Sequence, residues 1–301
     1  MNTNHSAPSG LFVGLATIDV IHAVDRMPTP NEKVDATAQA LAAGGPAANA
    51  AVTFAHLGGS ATLVTAVGRH RLAEIIRSDL SEHGVRIEDA SPHRDEPPTV
   101  ASIAVSGGHG DRAVIAYTSG AGDIEVPDGL AALVEHSDVV LIDGHHPPLA
   151  RAAAEAARRL GRRTVLDGGR WRPSFEELLP HVDVAVCSAD FRPPGCRTDA
   201  DVFGRLAAYG VRWTAVTHGE APIAWRGPGA SGEVPAPAVE VVDTLGAGDV
   251  FHGSLCHQFA SRTGPEDGDW FTSCLARAAV DAARSCTSFG SRTWLRNDGV
   301  A

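Results

Sequence analysis

Short apolar runs alternate with amphipathic stretches along most of the chain. Leu11 to Leu15 reads as a buried strand, and Pro46 to Leu57 as a helix that Gly58-Gly59 stops. A strand at Ala61 to Val67 follows. Leu72 to His83 then places Leu72, Ile75, Ile76 and Leu80 at the spacing of one helix face. Further strands are predicted at Val139 to Ile142, Thr164 to Leu166, Val182 to Val186 and Thr214 to Thr217. Ala150 to Leu160 and Ala200 to Tyr209 are the helices between them, and Ala247 to Ser261 and Trp270 to Cys286 are the last two. Such alternation predicts an α/β fold, a parallel sheet covered on both faces, with ligands at the carboxyl ends of its strands.

Two segments break the alternation. Asp19 to Ala43 reads as loop-like and extended, interrupted by Pro28 and Pro30. Thr99 to Ser119 contains ASIAVSGGHGDRAVIAY, two β-type runs around a Gly-rich turn, which predicts a hairpin. Strands that interrupt a βαβ series form either a small separate sheet, able to act as a lid, or an edge extension of the main sheet. With no internal repeat and no low-complexity linker, the expectation is one domain over 1–301, with lid segments at about 19–43 and 99–119.

Composition narrows the function classes. The 301 residues include 25 basic and 36 acidic side chains, a formal charge of −11, with 44% apolar residues, so a disordered chain is excluded. The acidic balance and the lack of any basic block argue against a nucleic-acid or anionic-membrane surface. The opening MNTNHSAPSG is polar, and no stretch approaches 18 uninterrupted apolar residues, so a cytoplasmic protein is expected. Five scattered cysteines without a C-x-x-C pair are expected to be reduced thiols. The 14 histidines lack H-E-x-x-H, and neither His145-His146 nor His252 and His257 have the i, i+4 spacing of a metal pair. Structural or surface roles are expected for them. The only lysine is Lys33, so neither a Walker A loop nor the strand lysine of a protein kinase can be built. A nucleotide here must be met by backbone amides, a helix end, arginine or a metal.

Three constellations carry candidate chemistry. In VVDTLGAGDVFHGSL, Val241 to Leu255, strand-like residues lead into Gly246-Ala247-Gly248 and then a helix. Small residues there let amides point outward at the helix start, which makes an anion pocket. Asp249 falls in the first turn, where the helix dipole is expected to keep it ionised and able to take a proton from a nearby hydroxyl. In AAGGPAANAAV, Ala42 to Val52, Gly44-Gly45 permits close backbone approach, Pro46 suits a helix start, and Asn49 offers donor and acceptor. In VGLATID, Asp19 follows the first strand and can accept from vicinal sugar hydroxyls.

Together, GG-x-x-x-N near position 45, D-T-x-G-A-G-D near 245 and the early Asp19 resemble the ribokinase-like (PfkB) carbohydrate kinases, across essentially the whole chain. The resemblance implies a three-layer α/β/α sandwich with a mostly parallel central sheet and a small β lid. It implies transfer of the ATP γ-phosphoryl group to a sugar hydroxyl with Mg²⁺. Asp249 matches the catalytic base, and Gly246, Ala247 and Gly248 the anion hole. Asp19, Gly44, Gly45 and Asn49 match sugar-contacting positions, while Thr217 and Gly219 in AVTHGE, with Thr244, match the nucleotide side. GLATIDVIHAVDRMP looks most like ketohexokinases, and GDVFHGSL and SCTSFGSR resemble kinases of fructose-like or sulfo-sugars. Asp111 and Arg112 resemble a lid position that reaches a substrate, the alternative being solvated turn residues. A homodimer is expected.

One departure concerns the metal. Many members carry N-x-x-E near position 188, tied to Mg²⁺ and phosphate, whereas this chain reads Ser188-Ala189-Asp190-Phe191. Metal ligands are therefore left unassigned, and potassium, held in some members by carbonyls near Asp243 and Leu245, is an option only. A nucleoside kinase of the same fold, with Tyr117 as the stacking aromatic, and a catalytically weak sugar-binding regulator stay open as alternatives.

Overall fold

The computed structural model describes residues 7–106, 112–117, 124–261 and 264–298. The chain opens with β1 (Ser9–Val13) and a pair of strands, β2 (Thr17–Val24) and β3 (Ala38–Gly44). Helix α1 (Pro46–His56) leads to β4 (Ser60–Thr65), α2 (Ala73–Glu82) and β5 (Val85–Asp89). A second strand pair, β6 (Val100–Ser106) and β7 (Arg112–Ala116), precedes α3 (Leu130–Glu135). Alternation resumes with β8 (Val139–Ile142), α4 (Pro147–Leu160), β9 (Arg163–Gly168), α5 (Phe175–Leu178) and β10 (Val184–Ser188). After α6 (Asp199–Ala208) come β11 (Trp213–His218), β12 (Ala221–Gly227) and β13 (Ala230–Val234). Helices α7 (Ala247–Ser261) and α8 (Gly268–Ser285) follow.

The large sheet runs β13-β12-β11-β10-β9-β8-β1-β4-β5. It is parallel from β5 to β11, and β12 and β13 add an antiparallel edge. Successive side chains of a strand point to opposite faces, and β1 shows the consequence. Phe12 joins one buried cluster with Phe54 of α1, Phe251 of α7 and Phe271 of α8. Leu11 and Val13 join the other, with Leu149 of α4, Phe175 of α5 and Leu206 of α6. That is the α/β/α sandwich. Trp213, Trp225 and Phe271 pack in tilted and edge-on contacts around the antiparallel edge and hold it to α8.

A separate four-stranded sheet has the order β3-β2-β6-β7. Asp19 to Ala43 is therefore not loop-like throughout, as expected from its prolines. It holds most of an antiparallel strand pair whose connection carries Pro28 and Pro30. The alternating TIDVIHAV sets β2, but the Ala-rich AQALAAG of β3 has little β-branched character to announce it. The hairpin read at Thr99 to Ser119 is present as β6 and β7. Its turn, with Asp111, lies outside the described residues. The core of the small sheet is Ile21, Ala101, Ile103 and Val105, with Leu245 and Phe289 of the main body packed against it.

Candidate active site

The parallel strands end along one edge of the large sheet, and the site is built there. Asp143, the residue after β8, is buried at the start of α1. Its Oδ2 accepts from Leu15 N at 2.8 Å and Ala47 N at 3.3 Å, and its Oδ1 from His145 N at 2.8 Å. Burial works against its charge, but the adjacent His145 ring and these amides outweigh it and hold the carboxyl below its usual range. An ionised carboxylate thus fixes the α1 N-terminus against the loop after β1.

Gly44 and Gly45 make the turn from β3 into α1. Gly44 stands opposite Thr17 in the strand pair, and a Cβ on it would collide with the Asp19 carboxylate. Gly45 has φ +96, where a side chain would be strained. Asp19 is buried, and its Oδ1 accepts from Thr17 Oγ1 at 2.6 Å. Burial raises the Asp19 carboxyl above its usual range, against the pull of Thr17 and Arg292.

Asn49, in the first turns of α1, joins this pocket to α7. Its Nδ2 donates to Asp249 Oδ2 at 2.8 Å. Its Oδ1 accepts from Arg292 Nη1 at 2.9 Å, which fixes the orientation of the amide. Arg292 also donates to the Ala43 carbonyl at 2.8 Å and to Asp79 Oδ2 of α2 through Nε and Nη2 at 3.1 and 3.0 Å. Sequence reasoning missed Arg292 and Asp143 as site-building residues. SCTSFGSR was noted only for its likeness, and Arg292 lies 243 positions from the asparagine it holds.

At α7, Gly246 takes φ +76, and the first-turn amides face away from the helix ladder, as at any helix start. Asp243 Oδ1 accepts from Leu245 N at 2.8 Å, and Ala247 N reaches the Thr244 carbonyl at 3.3 Å, which fixes the loop. Where Gly248 would carry a Cβ there is open space, so bare backbone faces the cleft. Such a cradle fits a phosphate group.

Asp249 was expected to be ionised by the helix dipole. The structure corrects this: although partly exposed to the cleft, Asp249 is set among protein groups. Burial and the neighbouring Asp167 carboxylate push it up to about 7, against the Asn49 hydrogen bond and His252.

Arg112, exposed at the start of β7, donates through Nη1 to Thr244 Oγ1 at 2.7 Å. It therefore ties the small sheet to the α7 loop instead of standing as a solvated turn charge. Thr217 and Gly219 lie at the carboxyl end of β11, Thr217 Oγ1 reaching the Cys187 carbonyl at 3.4 Å and Gly219 facing open space. In the sheet order β11 is four strands from β1, about 19 Å at the usual strand spacing. So the structure brings Asp19, Gly44, Asn49, Gly246 and Asp249 together and sets Thr217 and Gly219 apart, across α7. Among the described residues, no three His, Cys, Asp or Glu side chains gather to hold a metal. Asp190 is exposed, its amide bonded to Ser188 Oγ at 3.2 Å. Mg²⁺ commonly takes its ligands from phosphates and waters with one or two carboxylates, and Asp190 is the exposed carboxylate that would be available to it at the end of β10.

Comparison with known proteins gives the family of the chain. The family model described as pfkB family carbohydrate kinase matches residues 9–297. The chain is 25% identical to ribokinase of Bacillus subtilis (strain 168) over 285 residues, covering 93% of each chain. It is 24% identical to ketohexokinase of Mus musculus over 270 residues, 81% of this chain and 87% of that one. The crystal structure of a putative ribokinase from Agrobacterium tumefaciens superposes with a TM-score of 0.83 at 29% identity, covering 96% of this chain and 94% of that one. The chain belongs to the pfkB family of carbohydrate kinases, phosphotransferases with an alcohol group as acceptor. Kinases of this family use ATP, typically with Mg²⁺.

Proposed function

We propose that this chain transfers the γ-phosphoryl group of ATP to a hydroxyl of a small, ketohexose-like sugar, with Asp249 as the base. The sugar oxygen forms the new bond to phosphorus, the bond from the γ-phosphorus to the β,γ-bridging oxygen breaks, and the hydroxyl proton goes to the Asp249 carboxylate. The observation that carries this reading is the 2.8 Å bond from Asn49 to Asp249. It holds a carboxylate poised near neutrality between the Asp19–Gly44 pocket and the Gly246-Ala247-Gly248 turn, whose backbone is bare at Gly248. A base with a pKa close to the working pH combines a useful ionised fraction with proton affinity. The amides of the α7 turn would meet phosphate charge, Thr244 would stand beside them, and Thr217 and Gly219 would line the far, nucleoside end of ATP. Mg²⁺ would supply charge neutralisation on the phosphates when bound. Potassium is proposed on the family resemblance alone.

The ketohexose preference rests on the GLATIDVIHAVDRMP leader and on the similarity to the mouse ketohexokinase. An ATP-consumption assay over ribose, ketohexoses, sulfo-sugars and nucleosides tests it. A clear preference for ribose would replace the ketohexose, and a preference for nucleosides would replace the sugar class. Tyr117, the aromatic of the nucleoside alternative, is 81% exposed. No consumption with any acceptor would favour the regulatory reading.

Asp19→Ala is expected to raise the Michaelis constant for the sugar by about 10–100-fold, the worth of a charged hydrogen bond. That for ATP should stay within a few-fold. Equal effects on both substrates would remove Asp19 from the sugar pocket. We further propose that the small sheet serves as the lid of a single kinase domain. Its exposed Leu41, Val114 and Ile115 would meet a second copy, so Ile115→Asp should shift sedimentation from dimer to monomer. The working compartment proposed is the cytoplasm, which supplies ATP and keeps free cysteines such as these reduced.

A further inference from the structure

Arg172 lies half-buried in the loop between β9 and α5, and its Nη2 donates to His145 Nε2 at 2.6 Å. A guanidinium only donates, so the imidazole meets it with a ring lone pair and carries its own proton on Nδ1. That nitrogen is 3.3 Å from Asp143 Oδ1. Among the described residues, no carboxylate lies within ion-pair distance of Arg172. Asp143 gives its oxygens to the Leu15, Ala47 and His145 amides, and the imidazole stands between it and the guanidinium. His145 therefore orients Arg172 without neutralising it. A guanidinium held in place with its charge uncompensated is prepared for an anion from outside the chain.

The loop that carries Arg172 is fixed. Its carbonyl accepts from Phe175 N at 3.0 Å, and the neighbouring Trp171 packs edge-on against Phe175 and Phe191, with ring centres 5.8 and 5.5 Å apart. A Cβ on Gly144 would strike the Phe175 ring, so the loops after β8 and β9 lie in direct contact. From Arg172 the bonds run toward the acceptor side. They pass through His145 and Asp143 to Ala47 N, two residues after Gly45 and two before Asn49. Among the described residues, no hydrogen bond of the Arg172 side chain goes to β10, β11 or the α7 turn.

We propose that Arg172, positioned by His145, binds an anionic substituent of the sugar acceptor (a carboxylate, sulfonate or phosphate) remote from the hydroxyl that is phosphorylated. The proposal rests on the sugar-kinase reading given above and narrows its acceptor. Asp19 and Asp249 suit the hydroxyls of a polyol, but they repel an anionic group. The substituent must then lie at the far end of the pocket, where a planar fork can meet two of its oxygens. The charge of ATP has the α7 amides to meet it and leaves Arg172 for the acceptor.

The test uses the full-length protein with a ketohexose and with the same sugar carrying a terminal carboxylate, sulfonate or phosphate. Steady-state kinetics are run beside calorimetry without ATP. The parent should favour one of the anionic acceptors over the neutral sugar by about tenfold or more in kcat/KM, and the favoured one identifies the anion. Arg172→Gln should cut that preference by about 10–100-fold, the worth of a charged hydrogen bond. Arg172→Lys should keep part of it, because the charge stays and the fork is lost. His145→Leu should also lower the preference, chiefly through the Michaelis constant of the anionic sugar. A histidine that only fills space would change both acceptors alike. A parent that prefers the neutral sugar, or a preference equal in the parent and Arg172→Gln, would overturn the proposal. So would a loss confined to the Michaelis constant for ATP, which would place Arg172 on the nucleotide phosphates. If Arg172→Gln does not fold, the same ratio in Arg172→Lys and His145→Leu decides. The kinase reading fails separately, by no ATP consumption with any acceptor. Calorimetry decides in that event: tighter binding of an anionic sugar by the parent than by Arg172→Gln supports the proposal, and equal binding overturns it.

Discussion

Asp249→Asn is expected to lower turnover by about 10²–10⁴-fold, the usual loss when a general base is removed, and to raise the melting temperature at pH 8. The first effect follows from chemistry, since an amide takes no proton from the attacking hydroxyl. The geometry should survive, because the new side chain can turn its oxygen toward Asn49 and keep that hydrogen bond. The second effect follows from linkage. In the fold this carboxyl keeps its proton up to about pH 7, against an ordinary value of 3.8. The native state therefore binds more protons than the unfolded chain between those values. Stability from this group is fully present below the lower value and is lost as pH rises through the upper one. The neutral amide escapes that loss, so its advantage in a thermal melt should be absent near pH 4 and largest at pH 8. Steady-state kinetics and melts across that range check both halves. Near-parental turnover would take Asp249 out of the mechanism. A melting difference that ignores pH would mean the carboxyl is not held neutral by its surroundings.

Stability lost so that a base can sit near neutrality is a pattern expected of functional sites, and it explains why the sequence misled here. The first-turn position of Asp249 is a local feature, and a local argument from the helix dipole predicts an ionised carboxylate. Asp167, 82 positions earlier, is brought beside it only by the packing of α7 over β9. Desolvation and a like charge then outweigh the dipole. The same limit applies to Asp143, which reads as an ordinary residue after an apolar run and becomes the acceptor for the start of α1.

Elements with strong local signals were legible. Val139–Ile142 and Ala247–Ser261 stand where periodicity put them, to the residue. Pro46 and the flanking glycines announced α1, and the run at Val100–Ser106 announced its hairpin. Segments whose identity comes from their partners were not legible. The edge hairpin Ala221–Val234 opens on a short apolar run broken by Pro222 and continues in glycine and charge, and the tilted contact of Trp225 with Trp213 supplies what its own sequence lacks. Of the site, Asp19, Gly44, Asn49, Gly246 and Asp249 could be picked out as motifs, and the structure gathers them. Their mutual orientation could not be picked out, because it depends on a guanidinium from the other end of the chain.

That guanidinium sets the second large effect. Arg292 spans β3, α1 and α2 through Ala43, Asn49 and Asp79, with its side chain 12% exposed and that of Asp79 16%. Arg292→Ala would leave the Asp79 carboxylate and the Ala43 carbonyl without this partner in a largely dry place. Breaking such a buried pair by removing one member typically destabilises by about 3–5 kcal/mol. At about 2–4 °C per kcal/mol, the melting temperature should fall by roughly 6–20 °C. Arg292→Lys separates charge from geometry. One ammonium group keeps an attraction to Asp79 but cannot reach the Asn49, Ala43 and Asp79 acceptors together as the planar fork does. Its melting temperature should fall less than that of the alanine variant, while turnover falls clearly, because the Asn49 amide is then free to turn away from Asp249. Thermal melts beside steady-state kinetics measure both. If the lysine variant matched the parent in both, the fork would have no part in orienting the site. If the alanine variant melted within a degree of the parent, Arg292 would not be the clamp that its five hydrogen bonds describe.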